Sequence, residues 1–270
     1  MDLSAFRDVA IDIAREAGKT ALDYFKRPLV FDTKANVNDI VTEGDKATEV
    51  VIVDQISQHF PEHYIHGEEG GGQGADIAAA EYHWYVDPID GTTNYAHRLH
   101  YWCTSIALTT PDRQPLVGVL YAPVMNELYV AVKGQGATLN GQPIQVAARM
   151  DLSECIVVSG FPYDRKTNPD NNQAEWSAFA PQVRGLRRLG SAALDMGHIA
   201  AGRTDGYWER SLNPWDTLAG MLLVTEAGGK VTDYAGEPDP QNKPQGRYLA
   251  SNGHVHQQMV DVLTSVRKYW

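Results

Sequence analysis

The sequence predicts a layered architecture of helices and sheets, α/β or α+β, from three observations. Stretches of helical period alternate with short β-rich runs along the whole chain, and no internal repeat or low-complexity linker interrupts them. In WYVDPIDGTTNY, from Trp84 to Tyr95, an apolar run ends in two acids, with Asp90-Gly91-Thr92 as a tight turn. Pro88 cannot donate to a ladder and biases Asp87 towards extended geometry, so the chain is expected to leave the sheet here. It would then aim Asp87, Asp90 and the Ile89 carbonyl at one point.

At 270 residues the chain buries roughly three quarters of its unfolded surface, enough for one domain spanning 1–270 with a weak boundary near Asp151. Leu3, Phe6, Ala10, Ile13, Ala17 and Ala21 recur at helical spacing before Pro28. A polar, turn-rich stretch from Thr33 to Asp45 leads to a second helix with Ala47, Val50, Val53, Ile56 and Phe60 inward. Asp45 is expected at or near its N-cap. Tyr64 to His66 reads as a strand, and Gly67-Glu68-Glu69-Gly70-Gly71-Gly72 as a flexible acidic loop.

Four β-rich runs, Trp102–Thr110, Leu116–Ala122, Glu127–Lys133 and Gln142–Ala147, form an expected antiparallel meander. A strand at Ile156–Val158, a helix near Asn172–Phe179, a strand at Leu186–Leu189 and a helix at Ala192–Ala201 follow. After a strand at Asp205–Glu209, Asn213-Pro214 supplies an N-cap and an N1 proline, placing Asp216 in the first turn of a helix that runs to Glu226. A strand at Tyr248–Ala250 and a helix from Val255 to Tyr269 close the chain.

Composition excludes several classes. Cys103 and Cys155 make neither a disulfide framework nor a CxxC zinc site, and no signal or membrane-spanning run is present, so a cytoplasmic protein with no membrane partner is expected. A net charge of −11 and a pI near 5.2 argue against a nucleic-acid surface. Phosphorylated small molecules stay compatible if metal ions supply positive charge. The glycine-rich loop after His66 lacks the Lys-Ser or Lys-Thr of a nucleotide cradle. His63 with His66, and His97 with His100, lack a third ligand and are expected to line loops.

Each acid also has an ordinary structural reading: turn dipeptides for Asp87 and Asp90, a solvated loop for Glu68 and a helix-dipole partner for Asp216. Their combination points further. Two like charges ~4 Å apart repel by about 4 kcal/mol at an effective dielectric of ~20, so a cluster of these acids calls for bound cations. All-oxygen ligands select Mg²⁺, or Mn²⁺, over Zn²⁺.

GEE at Gly67–Glu69, DPIDGTTN at Asp87–Asn94 and WDTLAGMLLVTEAGG at Trp215–Gly229 resemble the inositol monophosphatase family in order and spacing, over nearly the whole chain. The resemblance implies an αβαβα sugar-phosphatase fold with mixed sheets and Mg²⁺-dependent hydrolysis of phosphate monoesters, commonly inhibited by Li⁺. It implies one ion on Glu68, Asp87 and the Ile89 carbonyl, and a second on Asp87, Asp90 and Asp216. A third, weaker ion would sit near Glu68, and Thr92 with Asp45 would form the water-activating pair, with Glu68 as the third catalytic residue, holding the attacking water together with the Thr92 hydroxyl. Backbone N–H groups of Gly91 and Thr92 can cradle the phosphate.

For the alcohol part of the substrate the resemblance points to Gly190, Ser191, Ala192 and Glu209, with Asp90 and Asp216 beside them. Glu209 is alternatively a surface acid paired with Arg210. Arg187 and Arg188 would meet a second phosphate or stay solvated. Thr93-Asn94 resembles the branch acting on inositol phosphates and fructose bisphosphate. The resemblance further implies a homodimer. A fructose-1,6-bisphosphatase, a dual activity, or a regulatory or RNA-associated role that leaves the site unused are the alternatives.

Overall fold

In the computed structural model, which describes residues 2–28, 31–34, 40–243 and 246–266, the chain starts with helix α1 (Ser4–Phe25). Its small residues Ala10, Ala14 and Ala17 are fully buried with Ile13, letting the helix lie close on the sheet beneath it. A two-stranded ribbon, β1 (Phe31–Thr33) and β2 (Ile40–Thr42), leads into α2 (Glu43–His59). The hairpin β3 (Tyr64–Gly67) and β4 (Gly71–Gly74) precedes the long strand β5 (His83–Asp90) and the short helix α3 (Thr92–Ala96).

The expected meander follows as β6 (Cys103–Thr109), β7 (Pro115–Ala122) and β8 (Glu127–Val132), extended by β9 (Ala137–Leu139) and β10 (Gln142–Ile144). These form one eight-stranded sheet, ordered β10-β9-β8-β7-β6-β5-β3-β4 and antiparallel except where β3 lies beside β5. Past Asp151 the chain crosses to a second sheet, through β11 (Ile156–Ser159), α4 (Gln173–Phe179), β12 (Gly185–Arg187), α5 (Ala192–Ala200), β13 (Gly206–Glu209), α6 (Pro214–Glu226), β14 (Lys230–Thr232), β15 (Tyr248–Ser251) and α7 (His256–Val266). Its five strands run in the order β12-β11-β13-β15-β14, with parallel and antiparallel pairs mixed.

Strand alternation builds the layers. On the first sheet Trp84, Val86, Ile106 and Val119 face α1 and α2, while Tyr85, Ala107 and Leu120 face α5 and α6. On the second sheet Val158, Tyr207 and Ala250 meet the same α5 and α6, whereas Val157, Trp208 and Leu249 face α4 and α7. The stack is αβαβα. Helix α6, shared by both sheets, is buried all round through Leu218, Met221, Leu222 and Leu223, as a helix between two apolar faces must be. It lies so close to β7 that a Cβ on Gly118 would come within 2.9 Å of the Ala219 carbonyl oxygen.

Helix α2 starts at Glu43 with Thr42 as N-cap, and Asp45 stands near that cap as expected, as the third residue that closes the capping box. Several expectations are corrected. The inward face of α2 carries Asp45, Thr48, Glu49, Ile52, Val53 and Ile56; Val50 is 58% exposed. Polar side chains at 45 and 49 turn inward because they serve the loops described below. Strand β5 runs on through Asp90 instead of stopping at Asp87. β9 and β14 were too short to show a period. His63 does not line a loop: it is buried, stacks on Phe60 and accepts from Trp84 Nε1 at 3.0 Å. Residues 35–39, and the expected end of the last helix at Tyr269, lie outside the described residues.

His256 gives the fold a pH dependence. Buried at the start of α7, it lies 2.8 Å from Ser251 Oγ and 2.9 Å from Thr232 Oγ1. Burial, helped by Lys230, lowers its pKa from 6.5 to about 4. The folded chain therefore binds this proton less readily than the unfolded one. The stabilisation is full above 6.5 and is lost as pH falls towards about 4, by roughly 3 kcal/mol at most. Urea unfolding at several pH values is expected to show a shallower decline between 6.5 and 4 in His256→Asn than in the parent; equal slopes would refute this assignment.

Candidate active site

The site grows from a bulge at the end of β5. Asp87 pairs with Ser105 and Asp90 with Cys103, so three steps on β5 face two on β6. Pro88 sits in the bulge, where its missing N–H costs nothing, and its carbonyl accepts from Thr104 Oγ1 at 2.9 Å. The bulge re-aims Asp87 and Asp90, and the Ile89 N–H donates to Asp87 Oδ1 at 2.9 Å. Gly91 follows with φ +98°, where a side chain would be strained and its Cβ would lie 3.1 Å from the carbonyl oxygens of Gly190 and Tyr101.

Helix starts hold most of the acids. Asp90 Oδ2 accepts from Ser191 Oγ at 2.5 Å and from the Ala193 N–H at 2.7 Å, at the beginning of α5. Asp216 Oδ2 accepts from the Asn213 N–H at 2.7 Å in the capping box of α6, and Ser105 Oγ fastens that helix to β6 through the Trp215 carbonyl at 3.1 Å. Asp45, at the start of α2, accepts from Thr42 N at 2.8 Å and Thr42 Oγ1 at 2.5 Å with one oxygen. Its other oxygen lies 3.2 Å from Thr92 Oγ1, which is also 3.1 Å from the Ile89 carbonyl. The N-terminal ends of α2, α5 and α6 thus favour negative charge where the acids stand. Glu68 arrives from the β3–β4 turn, its N–H donating to the Val86 carbonyl at 3.3 Å.

These acids feel one another. Burial first, then the charges of Glu68, Asp90 and Asp216, hold the Asp87 carboxyl well above the ordinary carboxylate range. Burial, followed by Glu68 and Asp90, does the same to Asp216. Burial pushes Asp90 up to about 6 although Ser191 and Ala193 pull it down, and Asp45 also rises to about 6. Among the described residues no three His, Cys, Asp or Glu side chains enclose an ion by themselves. A hard cation that fills its shell with carbonyl oxygens and water needs no such enclosure. The donor set is all oxygen and its excess charge is negative, so the residues fit Mg²⁺ or Mn²⁺.

Among the residues expected to meet the alcohol part of a substrate, Glu209 is no surface partner of Arg210. Tyr207 OH donates to it at 2.6 Å, and its carboxylate fills the space a Cβ on Gly160 would need. Arg210 pairs instead with Asp164 and Asp170. Burial, with a smaller push from Asp90, raises Glu209 to about 7 against the pull of Tyr207 and Arg188. Ser191 and Ala192 are buried beside Asp90, and Gly190, at φ +92°, packs on the Asn94 amide. Arg187 and Arg188 are both exposed.

Three residues escaped the sequence reading, as did the structural role of a fourth, Asn94. Lys34 Nζ lies 3.0 Å from Glu68 and 2.6 Å from Glu69, a counter-charge from the ribbon. Asn94 Nδ2 bridges the carbonyls of Tyr101 at 2.7 Å and Leu189 at 2.8 Å, clamping the loop after Gly91 to the loop before α5. Buried Asp195 accepts from Tyr101 OH at 2.9 Å beneath the same region. Glu49 supports the turn that carries Glu68. A glutamate at a helical position that would otherwise be apolar was the one signal available for Glu49; Asn94 stood in the DPIDGTTN motif, and Lys34 and Asp195 had no signal.

A five-layer stack with acids gathered at a strand end and helix starts aimed at them is the architecture of the sugar-phosphatase fold class. The sequence pattern of the inositol monophosphatase family matches residues 2–268. The chain is 39% identical to the inositol-1-monophosphatase of Synechocystis sp., over 100% of this chain and 92% of that protein. It is 41% identical to the Nus factor SuhB of Escherichia coli over 85% of each chain. An inositol monophosphatase from Anabaena superposes with a TM-score of 0.87 at 43% identity, over 98% of this chain and 97% of that one. The chain belongs to the inositol monophosphatase family.

Proposed function

We propose that this protein hydrolyses phosphate monoesters of inositol or a related sugar with Mg²⁺ as its cofactor. The observation that supports this most is the burial of Asp87 and Asp90, with half-buried Asp216 and Glu68 close enough to raise their carboxyls, an arrangement short of positive charge. By the family resemblance Glu68, Asp87 and the Ile89 carbonyl would hold one ion, with a weaker third near Glu68; Asp87, Asp90 and Asp216, which enclose no ion as they stand, would close around a second. Bound there, Mg²⁺ would activate a water, neutralise the phosphoryl oxygens and stabilise the leaving alkoxide.

The chain's own residues do the rest. Gly91 and Thr92 present backbone N–H groups to the phosphate at the start of α3. The Thr92 hydroxyl, shared between Asp45 and the Ile89 carbonyl, orients the attacking water and passes its proton towards Asp45. With its pKa near 6, Asp45 is an acceptor suited to neutral pH. In-line attack at phosphorus needs no covalent phosphoenzyme. Asp90, Asp216, Gly190, Ser191, Ala192 and Glu209 border the alcohol, with Glu209 accepting from its hydroxyls while Tyr207 holds that carboxylate in place.

Phosphate release from a panel of esters, with Mg²⁺ and then with added Li⁺, tests the reading. Glu209→Gln is expected to raise KM for polyol phosphates roughly tenfold or more, the worth of a charged hydrogen bond, while hydrolysis of p-nitrophenyl phosphate changes less than about threefold. Equal losses on both substrates would remove Glu209 from the alcohol site. Arg188, whose charge reaches Glu209, supports a bisphosphate substrate as a second possibility that the same panel decides.

The relatives named Nus factor support a further reading, a regulatory role. Retention of a biological role by an Asp90→Asn protein that releases no phosphate would favour it. Among the described residues no helix is long and apolar enough to cross a membrane. A cytoplasmic homodimer acting on a small phosphate ester, without nucleic acid, completes the proposal.

A further inference from the structure

We infer that Glu49 is a positioning residue that presents Glu68 to the cation site by shaping the β3–β4 turn. Glu49 lies on the inward face of α2, 4% exposed, and reaches the backbone next to Glu68. One oxygen accepts from the Glu69 N–H at 2.8 Å and the other from the Gly70 N–H at 2.5 Å. Two N–H donors thus face two acceptors. Only a carboxylate satisfies both, because a glutamine would turn its NH₂ towards one of the N–H groups.

The glycines of the turn fit around the same group. A Cβ on Gly67 would lie 2.8 Å from the Glu49 carboxyl carbon, and one on Gly70 would lie 2.8 Å from its Oε1. Neither glycine has the positive φ that would demand glycine on backbone grounds. At Gly67 that space belongs to the carboxylate alone, and at Gly70 the carboxylate shares it with the Gln73 amide, 2.6 Å from such a Cβ. Glu68 stands between these two positions, its N–H held by β5 on one side and its successors' N–H groups held by Glu49 on the other. The acidic, glycine-rich segment, expected to be a flexible loop, is a braced turn.

The inference rests on the proposed role of Glu68 as a metal ligand. Calorimetric titration of the metal-free protein with MgCl₂, together with amide hydrogen exchange over residues 67–71, tests it. Glu49→Gln is expected to weaken Mg²⁺ binding about tenfold and to speed exchange at Glu69 and Gly70, with the far-ultraviolet dichroism of the parent. In a Glu68→Ala background it should weaken binding no further. Gly67→Ala, which crowds Glu49 from the other side, should repeat the effect and keeps the test open if Glu49→Gln folds poorly.

Parental affinity and exchange in folded Glu49→Gln and Gly67→Ala overturn the inference, as does an equal further loss in the Glu68→Ala background. A parent protein that takes up no Mg²⁺ overturns the metal reading itself. The exchange data then still decide whether Glu49 braces the turn.

Discussion

Asp90→Asn is expected to reduce phosphate release at least about a thousandfold while leaving the metal-free protein as stable as the parent or more so. The substitution keeps the acceptor that Ser191 and Ala193 use, since an amide oxygen can replace Oδ2. It removes a charge that burial and neighbouring Glu68 resist. An acid whose folded pKa is raised, here from 3.8 to about 6, stabilises the fold most below its unfolded value and loses that contribution as pH rises through 6. At neutral pH the parent therefore carries a penalty that the asparagine lacks, on the order of 3 kcal/mol at most. Activity and thermal unfolding, measured on the same preparation at pH 7.5, check both halves. A variant that loses activity and also several degrees of Tm would mean that Asp90 is structural.

Stripping divalent cations should abolish phosphate release, and restoring Mg²⁺ at a hundred times its Kd should raise Tm by roughly 5–10 °C, equivalent to about 2.7 kcal/mol for a chain of this size. The gain is largest where the acids are ionised. Asp87, Asp90 and Asp216 all have folded pKa values above their ordinary range, so the metal-free protein is held back most at pH 7 and above. As pH falls through 6, protons take over part of the cation's task and the Mg²⁺-dependent rise in Tm should shrink. Thermal unfolding with and without MgCl₂ at pH 5.5 and 7.5 measures the difference. An identical rise at both values would show that the ion binds away from these acids.

Both results depend on residues far apart in the chain meeting at one strand end. The bulge in β5 aims Asp87 and Asp90, while α6 carries Asp216 there from more than a hundred positions later. The stability cost and the function share one cause, because charge kept from water is expensive when unpaired and effective when a cation or phosphate arrives.

Much of this was determined by the sequence alone. Helical period, strand composition, the Asn213-Pro214 cap and the three acidic motifs were enough for the layered fold, the meander and the acids to test, because each signal is local and repeats at fixed spacing. What only the tertiary structure decided was the surroundings of those acids. Glu49 drew no reading, Asp45 carried a cap reading beside the role the resemblance implied, and Glu209 stood between a hydroxyl ligand and a partner for Arg210. Their roles depend on which backbone N–H or hydroxyl lies across the gap, and no local pattern in the chain encodes that neighbour.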